Sequence, residues 1–201
     1  YKAEPNLVSS NVKERVGTPP PFTIDTLHTG LENPWGIAWL PDGRALVTER
    51  AGEILIFKDD KFTGEKVKGM PAVYQRGQGG LMDIQLHPNY KSNGWIYIAY
   101  AKPGNGGGGT AIIRAKLSGT SLTNIEQIYQ TSPLSSAGAH FGCRMIFDKN
   151  GYLFFSSGER GNKPNAQNLE NDLGKIHRIH DDGRIPGDNP FVGQKGLKES
   201  I

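Results

Sequence analysis

The stretch Ser136-Ala137-Gly138-Ala139-His140-Phe141-Gly142-Cys143-Arg144-Met145-Ile146-Phe147 sets one imidazole between a run of small residues and an alternating run. In a strand, successive side chains point to opposite faces. His140, Gly142 and Arg144 then share one face, and Phe141, Cys143 and Met145 the other. An imidazole at a strand mouth, with a glycine beside it leaving room for a ligand, is suited to general-base chemistry near neutral pH. A histidine in such a place is also commonly structural or simply exposed, so its surroundings must decide.

Other residue groups offer chemistry of their own. Gln78 lies in Arg76-Gly77-Gln78-Gly79-Gly80-Leu81-Met82-Asp83. Its flanking glycines permit a tight turn and close approach of a ligand, and its amide offers a donor and an acceptor. The alternative is an ordinary polar loop. Glu159, Arg160 and Asn162 follow Ser156-Ser157-Gly158; the Glu-Arg pair is either a surface ion pair or part of a ligand-binding mouth. Cys143 and His140 do not suit a thiol–base dyad, because their odd spacing sends them to opposite faces of a continuous strand. His177 and His180 likewise diverge on a strand, which disfavours a shared metal. Asp181-Asp182-Gly183 and Asp188-Asn189 do not match the spacing of a calcium-binding EF-hand loop and read as turns. Gly104 to Gly109 is not followed by the Lys-Ser/Thr and helix of a phosphate-binding loop, so a flexible hairpin loop is expected.

These residues need elements to position them. The 201-residue chain has 36% hydrophobic and 21% charged residues, as expected for a folded globular protein. Its 27 glycines and 13 prolines favour an all-β protein rich in turns. The net charge of +3 is small and the basic residues are scattered, so charge gives no sign of nucleic-acid binding. The basic cluster from Lys58 to Lys68 is broken by Asp59, Asp60 and Glu65 and reads as a solvated hairpin. The one cysteine excludes an intrachain disulfide and a multi-cysteine zinc site. No run has the length of a transmembrane helix, and no signal-peptide core opens the chain. Residues 1–21 are polar, end in three prolines, and are expected to form an extended arm.

From residue 22 onward short apolar runs alternate with Asp-Gly or Gly turns, the grammar of consecutive hairpins. The turn glycines Gly43, Gly94 and Gly151 are 51 and 57 residues apart. A period near fifty with several strands per unit is a β-propeller signature. Only about three blades are present, whereas closed propellers need about four to eight. Residues 22–201 are therefore expected to be the N-terminal half of a propeller domain in a longer protein.

Taken together, several stretches resemble the glucose/sorbosone dehydrogenase family of soluble quinoproteins. They are Asn33-Pro34-Trp35-Gly36-Ile37-Ala38; Arg76 to Ile84 with His87-Pro88; Ala139 to Arg144; Ser157-Gly158-Glu159-Arg160-Gly161; Leu173 to Ile179; and Asp182-Gly183-Arg184-Ile185-Pro186 with Asp188-Asn189-Pro190-Phe191. The resemblance implies a six-bladed propeller of four-stranded blades, the cofactor pyrroloquinoline quinone (PQQ), and calcium. It implies oxidation of aldoses at the anomeric carbon to lactones, with His140 as the base, hydride transfer to PQQ, and Gln78 in the sugar and quinone pocket. Arg144 matches a motif arginine, read as supporting the pocket. A periplasmic or secreted location follows from the family alone. The aldose sugar dehydrogenases of bacteria and archaea look most similar.

Two departures stand out. The glucose-specific branch has an acidic residue where this chain has Ala139, so a broader aldose range is expected. The family's later blades supply most of the groups that hold PQQ and calcium, so these 201 residues alone are expected to be inactive. The competing possibilities are a non-catalytic propeller that binds a ligand or partner and, with less support, a lactonase-type hydrolase, for which no convincing metal-ligand set is present.

Overall fold

The computed structural model describes residues 23–201; the expected N-terminal arm, residues 1–21, lies outside them. Three antiparallel sheets follow one another along the chain. The first contains β1 (Pro34–Trp39), β2 (Arg44–Glu49), β3 (Glu53–Lys58) and β4 (Lys61–Lys66) in sequence order. The second contains β5 (Leu81–Leu86), β6 (Trp95–Gly104), β7 (Gly107–Ser118) and β8 (Ser121–Gln130), also in order. The third contains β9 (Gly142–Phe147), β10 (Leu153–Ser157) and β11 (Lys175–Ile179). A short helix, α1 (Tyr90–Asn93), joins β5 to β6. The meander order and the stacking of successive sheets are those of propeller blades. Alongside β11, the Arg178 N–H donates to the Ser200 carbonyl at 2.7 Å. Residue 200 thus lies next to the sheet's outer strand.

The alternation seen in the sequence sorts the core. Ile96, Ile98 and Tyr100 of β6 pack with Leu46, Ile54 and Ile56 of the first blade. Tyr97, Ala99 and Ala101, between them in sequence, pack with Phe141, Cys143, Met145 and Phe155 of the third. β6 and β7 of the middle blade are thus buried on both faces, which is why residues 96–101 and 111–113 read as continuous apolar runs. The outward faces of the row differ: Ile37 and Trp39 are 50% and 57% exposed on the first blade, and Ile146 and Ile176 are 65% and 62% exposed on the third.

The innermost strands share an irregularity that periodicity did not reveal. Register shifts fall between Pro34 and Gly36 in β1, between Leu81 and Ile84 in β5, and, where β9 meets β10, between Phe155 and Ser157. In β9 the shift sets Cys143 and Arg144 opposite the single residue Ser156, a bulge that re-aims side chains. Two expectations are corrected. Gly104 to Gly109 is not a flexible loop: only Asn105 and Gly106 turn, and residues 107–109 are the start of β7. Those glycines are close-packed, Gly108 against the Tyr74 ring and Gly109 against Leu134. His140 precedes β9 with φ of 54°, and Gly142 and Cys143 also have positive φ, so no continuous strand runs through the stretch. Phe141, Cys143 and Met145 are still buried, while His140, Gly142 and Arg144 are exposed. The bulge, not a regular strand, produces this division.

Candidate functional site

Gln78 and His140 meet where two loops pack backbone to backbone. The Gln78 N–H donates to the Gly138 carbonyl at 2.7 Å, and the His140 N–H donates to Gln78 Oε1 at 2.7 Å. A Cβ on Gly77 would collide with the Gly138 carbonyl, so the glycine permits the close approach. One end of the Gln78 amide is therefore used inside the protein. Among the described residues its Nε2 has no hydrogen-bond partner, and the side chain is exposed.

The His140 ring is gripped from a different element. Its Nδ1 pairs with Glu159 Oε1, contributed by the turn after β10. The imidazole beside Glu159 holds that carboxyl below the usual carboxylate range, chiefly through this hydrogen bond. A carboxylate only accepts, so the Nδ1 of a neutral His140 carries the proton and Nε2 keeps its lone pair. The ring is half exposed, at 51%. Glu159 and Arg160 do not form the ion pair considered from the sequence. Arg160 turns inward, is 5% exposed, and donates from Nε to the Ala139 carbonyl at 2.9 Å and from Nη1 to the Gly108 carbonyl at 2.8 Å. Its Nη2 donates to the Ala137 carbonyl, and its guanidinium lies 3.5 Å from the Phe141 ring centroid.

Side chains from the inner-strand irregularities meet one another. Arg144 donates to Asp83 Oδ1 at 3.1 Å and lies over the Trp35 ring at 4.7 Å. Asp83 is 1% exposed, and its other oxygen accepts from the Met145 N–H at 2.8 Å. Burial raises its pKa despite these partners. The sequence placed Arg144 beside His140 but gave Asp83 and Trp35 no role, because strand periodicity does not report contacts between blades.

The remaining candidates are placed as follows. Cys143 is fully buried, and burial pushes its thiol up to about 12, leaving no nucleophilic thiolate near neutral pH. His177 is buried with Nε2 3.0 Å from both Ser157 Oγ and the Asp172 carbonyl, and Nδ1 3.0 Å from Ser200 Oγ. Burial pushes its pKa down to about 4. His180 instead packs against Tyr152. Among the described residues no three His, Cys, Asp or Glu side chains form a group able to hold a metal.

The glucose/sorbosone dehydrogenase family model matches residues 31–201. The chain belongs to this family. It is 36% identical over 187 residues to the aldose sugar dehydrogenase YliI of Escherichia coli K12, an alignment covering 91% of this chain and 50% of that protein. The soluble aldose sugar dehydrogenase of Escherichia coli in its apo form superposes with a TM-score of 0.82 at 38% identity, over 85% of this chain and 50% of that one. The PQQ-bound form of the aldose sugar dehydrogenase from Streptomyces coelicolor gives a TM-score of 0.70 at 32% identity, over 85% and 51%. The chain thus spans about half the length of the curated relatives it matches. Within the glucose/sorbosone dehydrogenase family, the match takes in both strands and loops around Gln78, His140 and Glu159.

Proposed function

We propose that this chain carries the proton-accepting half of a PQQ-dependent aldose dehydrogenase site, with His140 as its general base. The supporting observation is the grip on His140: Glu159 holds Nδ1, Gln78 holds the backbone N–H, and Nε2 is left with a lone pair on a half-exposed ring. In that tautomer the ring accepts a proton from a hydroxyl at Nε2. We take that hydroxyl to be the anomeric one of an aldose and the product to be a lactone, a reading the family membership supports. The Gln78 amide nitrogen is suited to donate to a sugar or quinone oxygen. When bound, PQQ would supply a two-electron acceptor for the anomeric hydride. The exposed donor and acceptor at Gln78 and His140 fit one polar edge of such a ligand. We place the calcium ligands and the cations for PQQ's carboxylates in the rest of the protein.

We further propose that additional blades cover the Ile37–Trp39 and Ile146–Ile176 faces in a six-bladed ring. Ala139 offers no carboxylate to sugar hydroxyls, which favours a broad aldose range. By analogy with the family we propose a location in the periplasm or outside the cell; no helix among the described residues is long and apolar enough to cross a membrane.

The test is dye-linked oxidation of an aldose panel by the full-length protein with PQQ and calcium. His140→Ala is expected to lower kcat by about 100-fold or more. No turnover with any sugar would favour a non-catalytic binding propeller; wild-type rates in His140→Ala would remove His140 as the base. The 201-residue chain alone, given PQQ and calcium, is expected to show no turnover.

A further inference from the structure

Arg160 is a buried cation with no carboxylate partner among the described residues. Its three hydrogen bonds go to the carbonyls of Ala137, Ala139 and Gly108, and its charge lies against the Phe141 ring. Such an arrangement is costly for stability alone, because desolvating a guanidinium is offset only in part by neutral acceptors. An apolar side chain of similar volume would fill the space more cheaply. What the guanidinium provides is geometry: its planar fork fixes several acceptors at once. Those acceptors bracket His140, with the Ala139 carbonyl immediately before it and the Phe141 ring immediately after. His140 itself is held at φ of 54°, in the left-handed region that non-glycine residues seldom adopt. Arg160, at φ of 60°, directly follows Glu159, which holds the ring. One dipeptide therefore controls both the backbone and the imidazole of the same residue, while Gly108 ties the assembly to the middle blade.

We propose that Arg160 is a positioning residue that fixes the His140 loop so that Nε2 faces the substrate hydroxyl. This rests on the assignment of His140 as the base. Arg160→Met keeps the packing but removes every donor. Arg160→Lys keeps the charge but cannot hold three carbonyls in one plane. Misplacing a reacting group by about 1 Å can cost about 100-fold in rate. Both variants are expected to lower kcat 10- to 100-fold at similar KM, with lysine giving no rescue.

A second readout needs no cofactor. In spectra of 15N-histidine-labelled protein, the His140 ring nitrogens should report one tautomer, protonated at Nδ1, in the wild type. In the variants they should report an average of two. Folded Arg160 variants with wild-type kcat, or with the single tautomer retained, overturn the proposal. If both variants fail to fold, Phe141→Leu decides. It removes the aromatic stack while keeping the bonds, and is expected to lower kcat 3- to 10-fold and to broaden the His140 signals; no change in either overturns the proposal. His140→Ala separates the two failures. Wild-type rates in that variant remove the base itself, whereas a dead His140→Ala beside a fully active Arg160→Met removes only the positioning role.

Discussion

The junction between the first and second blades and the junction between the second and third are built differently. The first is mainly apolar, with Leu46, Ile54 and Ile56 packed on Ile84, Ile96 and Ile98. Side-chain bonds across it are fewer: Thr48 Oγ1 donates to the buried Met82 carbonyl at 2.6 Å, and at exposed positions Arg44 Nη1 donates to the Gly119 carbonyl at 3.0 Å and Arg50 to the Gly77 carbonyl. The second also has an apolar layer but is laced with polar side chains. Asp83 holds Met145 and Arg144, Thr110 Oγ1 donates to the Phe141 carbonyl at 2.7 Å, Gln78 accepts from His140, and Arg160 reaches Gly108. Apolar packing is tolerant of small shifts, whereas hydrogen bonds fix distance and direction. The difference teaches where precision is needed: the candidate base lies at the junction whose geometry is specified by polar contacts.

The largest expected effect separates the junctions directly. Asp83→Ala strands the Met145 N–H and frees the largely exposed Arg144, and should cost about 1–3 kcal/mol in denaturant unfolding. Ile84→Ala in the apolar junction should cost about 2–5 kcal/mol through its cavity. Only the aspartate variant should also change the His140 ring-nitrogen signals; equal disturbance by both would mean that the two junctions hold the His140 loop alike.

Next comes the pH dependence of the third blade. His177 is neutral in its buried site, with its pKa pushed down to about 4 from 6.5. The folded protein binds fewer protons than the unfolded chain in that window. Its contribution to stability is complete above pH 6.5 and is lost as pH falls towards 4. Thermal melts from pH 7 to 4 should show a decline worth a few kcal/mol that flattens in His177→Gln. A slope unchanged by that substitution would assign the decline to other groups.

The smallest effect uses one substitution in two places. Thr48→Val and Thr110→Val each remove one buried hydroxyl and should each cost about 1–2 kcal/mol. Thr110→Val alone should speed amide hydrogen exchange between residues 137 and 141, because its carbonyl partner is Phe141. If Thr48→Val had the same local effect, the two junctions would not be independent.

Much of this was legible in the amino-acid order. The apolar run Trp95-Ile96-Tyr97-Ile98-Ala99-Tyr100 and the turns near Gly43, Gly94 and Gly151 gave the strands and their repeat. The motifs around Gln78 and His140 pointed to two loops that the fold brings together, with the His140 N–H donating to Gln78 Oε1. The strand β8 was missed because Ser121–Gln130 is largely exposed and lacks a strong apolar pattern. The glycine run before β7 was misread because glycine marks a loop by propensity, and only the packed Tyr74 and Leu134 side chains explain it in a strand. Local periodicity, set by a strand's two faces, therefore determined the fold class and which faces are buried. Tertiary structure alone decided that Glu159 grips the His140 ring, that Arg160 turns inward beneath it, and that Trp35, Asp83 and Arg144 meet. The last of these joins three blades and the others join separate loops, and the partners depend on bulges and loop packing that a residue's own neighbours in sequence do not encode.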